Sequence, residues 1–467
     1  MILRLKQYQY FVFIIIALIL SGCMVGPEYV KPDVIAPAAY GQATPKSKIE
    51  ATHWVDIYAD EQLSELVAHA ATNNYNLKAL YERTRQARAL IRRSRADRNP
   101  QIGASSSYNR FEDSEQLNFS RPSDENYNAA ITLGWEIDLF GRIARLVEAA
   151  EADANAAQSS YEDLLLITET DVAINYFRLR ALEYEINAVK RSVETRQESL
   201  DIVMARFNSG TVSNLDVAQS ETLLADSEAD FAALKRERDL RKHALAALTG
   251  QPAPEFKLAI KTLPGSPDDV PVGIPSELLL RRPDIRQAEF ELIAANARVG
   301  IASANFFPRI TIGGDTGFAA LDAGDWFKQS AGFYTVGPQI SLPIFQGGRL
   351  RAELTRSEAA YAESLAIYQQ TIIEAFAEVE DALSGWRFLS SQRAALERAV
   401  AASQQAQKIS NEQYGSGLID FISALDSERT ALNAERRLAR VVGDEYENSV
   451  RLIRAIGGSW QSAIPQR

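Results

Sequence analysis

No proline and no glycine falls between residues 142 and 207, and that absence limits the possible folds more than any other feature of the chain. Across the span the apolar positions are Val147, Ala150, Ala154, Ala157, Tyr161 and Leu164, then Leu179, Leu182, Ile186, Val189 and Val193. Steps of three and four alternate, which is the heptad stripe of a helix packed along other helices. Many of its members are alanine, so neighbouring helices can approach closely. At about 1.5 Å per residue the span makes a rod of roughly 100 Å, longer than a compact globular domain accommodates.

The rod is written twice. Gly141-Arg142 in LFGRIARL recurs as Gly348-Arg349 in QGGRLRAEL, and Gly210 in RFNSGTVSNLDVAQSETL recurs as Gly417 in QYGSGLIDFISALDSERT, both at an offset of 207. Pro100 in RNPQI matches Pro308 in FFPRI one residue away from that offset. A constant offset over such a length is a duplication. Each half is expected to hold one long helix, 142–207 or 349–413, beside two shorter ones stacked end to end: 74–98 with 213–249, and 283–306 with 420–456. Glycine at 210 and 417 suits the backbone angles that reverse a helix hairpin. Beyond the second turn, Ile422, Asp426 and Arg429 are spaced by four and three and so share one helix face.

Between the first short helix and the long one the period becomes two. In 127–140, Ile131, Leu133, Trp135, Ile137 and Leu139 alternate with Asn128, Thr132, Glu136 and Asp138. In 333–345, Tyr334, Val336, Ile340, Leu342 and Ile344 alternate with Thr335, Gln339 and Ser341. With weaker partners before them, strands are expected at about 100–112, 126–140, 308–319 and 332–345. Such strands fit a transmembrane β-barrel or a half-buried sheet in a soluble domain. Apart from the first twenty residues no apolar run is long enough for a membrane helix, so a membrane crossing would require a closed barrel. Four strands cannot close one, and the chain would have to associate, in two copies or in three.

The N-terminus carries an address. Arg4 and Lys6 precede the apolar run FVFIIIALIL, too short to span a bilayer, and Leu20-Ser21-Gly22-Cys23 follows it directly. This order resembles a bacterial lipobox. It marks 1–22 as a signal peptide and Cys23, the single cysteine of the chain, as the lipidated first residue, with N-palmitoyl and S-diacylglycerol groups. The remaining boundaries are a lipidated, proline-dotted tether over 23–58 too polar to pack, a first repeat over 59–250, a proline-rich linker over 251–282, a second repeat over 283–457 and a tail over 458–467.

Acidic side chains number 61 against 50 basic ones, a net charge of −11, which argues against nucleic acid as a partner. His53, His69 and His243 lie far apart and show no metal-ligand spacing. There is no glycine-rich phosphate loop after a strand and no Ser/His/Asp set, so neither a metal centre nor an enzyme is expected.

Several stretches together resemble the outer membrane factor lipoproteins, the TolC- and OprM-like exit ducts of tripartite efflux systems. They are LSGCMVGPEYVKP, HWVDIYADEQLSELVAHAATNNYNLKAL, WEIDLFGR, VGIPSELLLRRPDIRQAEFELIAANARVGIASANFFPRI and PQISLPIFQGGRL. The resemblance covers nearly the whole mature chain. It implies a mainly α protein with a membrane β-barrel: a homotrimer with four transmembrane strands per chain and a long α-barrel reaching into the periplasm. It implies, as partners, outer membrane lipid, a periplasmic adaptor and an inner-membrane pump of the resistance-nodulation-division type. Carried over to matching positions, it makes Ile422, Asp426 and Arg429 the periplasmic gate. It links Asp216 to Tyr414 by a hydrogen bond, and it makes the turns at Gly210 and Gly417 the adaptor-docking tips. Ile419 departs from the TolC pattern, which has an arginine there. The function so implied is a passive exit duct for drugs or toxic metabolites. Its alternatives are the channel of a type I protein secretion system and, from a different class, a periplasmic coiled-coil adaptor or scaffold.

Overall fold

The computed structural model describes residues 24–34, 37–41, 53–112, 124–259 and 281–458, with 263 and 270 as single positions. The signal segment, Cys23, most of the proline-rich linker and residues 459–467 lie outside the described residues. In chain order the elements are α1 (Glu61–Asn73), α2 (Tyr75–Ala96), β1 (Gln101–Phe111), β2 (Asp124–Ile137), α3 (Arg142–Asn208), α4 (Asn214–Leu248), α5 (Pro283–Ala304), β3 (Arg309–Ala320), β4 (Gly332–Ser341), α6 (Arg349–Gly415) and α7 (Phe421–Ala455). The duplication is visible in helix lengths: α3 and α6 each have 67 residues, α4 and α7 each 35, α2 and α5 each 22.

The four strands form one antiparallel sheet in the order β1-β2-β3-β4. Its register gathers the apolar set on one face: Ile102 lies opposite Leu133, Trp135 opposite Ile312, Ile137 opposite Ile310, and Ile310 opposite Ile340. The other face carries polar and small residues, with Asn128 opposite Ser107, Thr132 opposite Asp315 and Thr311 opposite Gln339. Within the chain the apolar face is uncovered, since Ile102 is 75%, Val336 69% and Ile340 68% exposed. A sheet that covers one face from its own chain would hide these residues in a core; here the apolar face is left for a medium or partner outside the chain, as on a lipid-facing barrel strand. β1 and β4 each pair on one side only and leave two open edges.

Strand ends differ from the expected ones for a local reason. Asp138 leaves the ladder so that its carboxylate can accept Ile143 N at 2.9 Å and Ala144 N at 2.7 Å, capping the start of α3. Leu139 is therefore not on a strand, and Leu342 and Ile344 likewise lie beyond β4.

The helix junctions are spliced by one side chain in each repeat. Asn74 caps α2 by accepting Asn76 N at 2.8 Å, and its amide donates to Leu248 O at the end of α4 at 2.9 Å. Arg282, 208 residues on, donates to Ala455 O at the end of α7 at 3.0 Å and to Asp284 in the first turn of α5 at 2.6 Å. Asn74 satisfies terminal backbone groups of both its helices, and Arg282 ties a terminal carbonyl of α7 to a first-turn carboxylate of α5, so that in each repeat two shorter helices run end to end.

The chain folds as two compact units, one built from residues up to Val34 with 82–158 and 287–370, the other from 35–81 with 159–286 and 371–467. In the first, the segment expected to be a loose tether is packed. Val25 N donates to Phe140 O at 3.2 Å, Asn296 donates to Pro27 O at 3.1 Å, and Lys31 pairs with Glu289 at 2.8 Å. At Gly26 the backbone (φ +95°) lies so close to Gly300 that an added Cβ would come within 2.5 Å of its Cα. Two glycines let two backbones touch, and the carbonyls of Val25, Gly26 and Pro27 accept from Arg145 and Asn296 in place of water.

In the second unit the end of the same expected tether enters the core. Trp54–Tyr58 forms a 3-10 turn capped by His53, with Trp54 and Tyr58 both 1% exposed. The Tyr58 ring lies 4.8 Å from Phe177, which stacks on Tyr446 at 4.6 Å, and Tyr58 Oη is 2.7 Å from Ser449 Oγ. These rings bury a large apolar area with their polar ends paired. Among the described residues no helix is long and apolar enough to cross a membrane.

Candidate functional site

Both helix hairpins reverse by the same device. At the end of α3, Gly210 N donates to Phe207 O and Thr211 N to Arg206 O, with Gly210 at φ +75°. At the end of α6, Gly417 N donates to Tyr414 O and Leu418 N to Gln413 O, with Gly417 at φ +74°. Both are Schellman stops, which require the left-handed region that glycine enters freely. The following helices restart on capping residues. Ser213 and Asp216 form a capping box for α4, and Asp420 accepts Ser423 N at 3.0 Å to open α7. The hydrogen bonds from Ser423 hold the Asp420 carboxyl below its usual range. A Cβ built on Gly210 or Gly417 meets nothing within 4 Å, so both turns present open surface.

Asp216 is committed to its cap. Its carboxylate accepts Ser213 N at 2.8 Å and Ser213 Oγ at 2.9 Å, and the expected hydrogen bond to Tyr414 is not formed within the chain. Tyr414 instead accepts from Arg206 Nη1 at 3.1 Å, under a guanidinium 5.2 Å from its ring, and its other side meets Phe421 at 5.3 Å. The sequence reading passed over Arg206. Its signal was position: a cation in the last turn of a helix, where carbonyls and the macrodipole favour positive charge.

Ile422, Asp426 and Arg429 are brought onto one wall of a groove of about 490 Å³. With Leu425 they form its α7 side, and Leu215, Ala218, Gln219, Thr222 and Leu223 of α4 form the other. Arg429 Nη2 donates to Asp426 Oδ1 at 2.5 Å, and Ile422 stays 53% exposed. The α4 wall was also missed, though Leu215, Gln219 and Thr222 repeat the same helical spacing at the offset of 207. An apolar step above a fixed ion pair, on a face the chain leaves open, can exclude water and repel or attract ions according to how closely copies approach. It has no group placed to make or break a covalent bond. Among the described residues no cluster of His, Cys, Asp and Glu could hold a metal ion.

The outer membrane efflux protein profile matches residues 66–251 and 274–458, taking in both repeats. The chain belongs to the outer membrane efflux protein family. It is 31% identical over 465 residues to the solvent efflux pump outer membrane protein SrpC of Pseudomonas putida, covering 95% of this chain and 97% of that one. The probable outer membrane lipoprotein SilC of Salmonella typhimurium is 29% identical over 454 residues, covering 95% and 97%. The solved outer-membrane channel OprN superposes with a TM-score of 0.85 at 31% identity, covering 94% of this chain and 100% of that one. This outer membrane efflux protein is therefore a TolC-like channel of the outer membrane. Its family is one of transport ducts that work with adaptors and inner-membrane pumps.

Proposed function

We propose that the chain forms a homotrimeric exit duct that passively conducts small molecules from an adaptor and a resistance-nodulation-division pump to the cell exterior. One observation carries this reading: a sheet with one uncovered apolar face, one polar face and two open edges. Unpaired edge groups are too costly to leave in hydrocarbon, so β1 of one copy must meet β4 of the next until the ring closes. Three copies give about twelve strands, enough for a polar lumen, whereas two give about eight, whose interior side chains fill.

In this duct Ile422, Asp426 and Arg429 ring the periplasmic end as the gate, Arg206 and Tyr414 tie the two hairpin tips together, and Gly210 and Gly417 present the turns to the adaptor. The loop 320–331 and the loop over 113–125, of which 113–123 lie outside the described residues, face the exterior. Cys23 carries the lipid. The relatives' names speak of solvent and other efflux, which supports a small-molecule cargo over a secreted protein. The oligomer is tested by the mass of the detergent-extracted complex together with its conductance in planar bilayers. A complex of three chains conducting in discrete steps is the expected result; a two-chain complex without conductance would refute the duct.

A further inference from the structure

Along the seam between α3 and α7, ion pairs recur at heptad spacing with alternating sign. Arg454 pairs with Asp171 at 3.6 Å, Arg178 pairs with Glu447, and Arg440 pairs with Glu185 at 2.7 Å. Seven residues along α3 are matched each time by seven back along α7. Nearer the tips Arg196 pairs with Glu428 at 3.0 Å, both side chains under 10% exposed. Arg196 also donates to Leu223 O at 2.8 Å and to Ser227 Oγ, so it grips α4 as well. The apolar part of this seam holds the Phe177–Tyr446 stack and, nearer the tips, a cluster of Ile186, Val189 and Leu432 that Leu234 of α4 joins.

We propose that this ladder is a register lock, which holds the helix carrying Ile422, Asp426 and Arg429 at one axial position on α3. A heptad stripe of small apolar residues fits nearly as well when slid by seven residues, because the pattern repeats. The charges do not repeat in that way. Slid in one direction, Asp171 meets Glu447 and Arg178 meets Arg440. Slid in the other, Arg178 meets Arg454 and Glu185 meets Glu447. Either one-heptad slip sets like charges together at two of the three rungs where solvent is partly excluded, and the native register pairs all three. Glu428 lies between Asp426 and Arg429, so its buried pair with Arg196 transmits the register directly to the gate face. Arg196 and Glu185 are thus positioning residues for the gate.

The conductance arm of the test rests on the gate reading above; the distance arm does not. Nitroxide labels are placed on the exposed positions Glu194→Cys of α3 and Asn433→Cys of α7, in trimers diluted with unlabelled chains, and their separation is measured by pulsed electron resonance. Asp171→Arg with Arg178→Glu repels in the native register and attracts Glu447 and Arg440 one heptad away. The expected result is a second distance population, displaced by up to about 10 Å for a full heptad, with resting conductance raised at least threefold. Adding Glu447→Arg and Arg454→Asp restores complementarity and should return both readings to wild-type values. A single wild-type distance in the α3 reversal, or no restoration in the combined reversal, overturns the lock. If the α3 reversal does not assemble, the combined variant decides: assembly with the wild-type distance supports the lock, and failure to assemble overturns it. Changed distances without changed conductance keep the lock and count against the gate reading alone.

Discussion

At Asp216 the carboxylate has two claims on it, a tyrosine across the tip and the amide and hydroxyl of Ser213 three residues back, and the nearer pair holds it. Capping groups are delivered by the chain's own turn geometry at little entropic cost, whereas a contact across hairpins must order two elements first. Asp426 has no such cap and keeps Arg429 as its ion-pair partner on the open face. Replacing Ile422 and Asp426 together by alanine is expected to raise the resting conductance of the purified channel severalfold and to weaken block by divalent cations added from the periplasmic side. Unchanged conductance and block in that double variant would remove the stripe from the gate. Asp163 on α3 offers a pH test. Burial, and then the nearby Asp284, push its carboxyl up to about 6 against the pull of Arg454 and Arg282. Its pKa is higher folded than unfolded, so its contribution to stability is most favourable below the unfolded value and is lost as pH rises through about 6. Asp163→Asn should therefore stabilise the protein by about 1–2 kcal/mol at pH 7–8, a figure discounted for partial solvent screening. The gain should shrink to nothing near pH 4, which thermal unfolding across that range would show. A gain that does not vary with pH would contradict this account.

At the scale of elements, the two tips are one construction made twice, a Schellman stop at glycine followed by a capped restart. Substituting Gly417 by valine forces a β-branched side chain into the left-handed region, a strain of about 1–2 kcal/mol. No neighbour is there to clash with it. On the proposed docking role of this turn, the trimer should still assemble while efflux in cells falls. Loss of trimer on native gels would instead make the glycine purely a turn residue. The splices follow the same logic with different chemistry. Asn74 and Arg282 hold matching places in the two repeats, one by an amide and one by a guanidinium. The RRPDIRQAE block was legible as a signature, but that Arg282 serves as a helix splice was not.

For the whole molecule, the export address and the anchor belong together. On the proposed lipidation, a mature chain beginning at Cys23 would place the strap Met24–Lys31, held by α3 and α5, immediately beside the lipid. Mass spectrometry of the N-terminal peptide from membrane-extracted protein should find Cys23 with one amide-linked and two ester-linked acyl chains and no trace of residues 1–22. An unmodified Cys23 in membrane-bound protein would count against it. The proposed ring of three copies would be a property of this scale alone. Each chain supplies four strands with open edges, and among the described residues nothing within one chain pairs with them.

Periodicity and offset determined the elements. A heptad stripe without proline or glycine leaves little but a long helix, a period of two leaves little but a strand, and a constant offset makes the second half repeat the first. These are local or near-local constraints, and they placed the two hairpin tips and the Ile422, Asp426 and Arg429 stripe. Only the tertiary structure decided what lay across from each residue. The segment over 24–31 looks like a tether because its glycine and proline break any periodic pattern, yet it packs because Gly26 meets Gly300 and its carbonyls meet Arg145 and Asn296. Arg206 rather than Asp216 reaches Tyr414, and Leu215 and Thr222 face Ile422 across the groove, for the same reason. Such pairings depend on how two helices are set side by side, and that is fixed by packing between residues some two hundred positions apart.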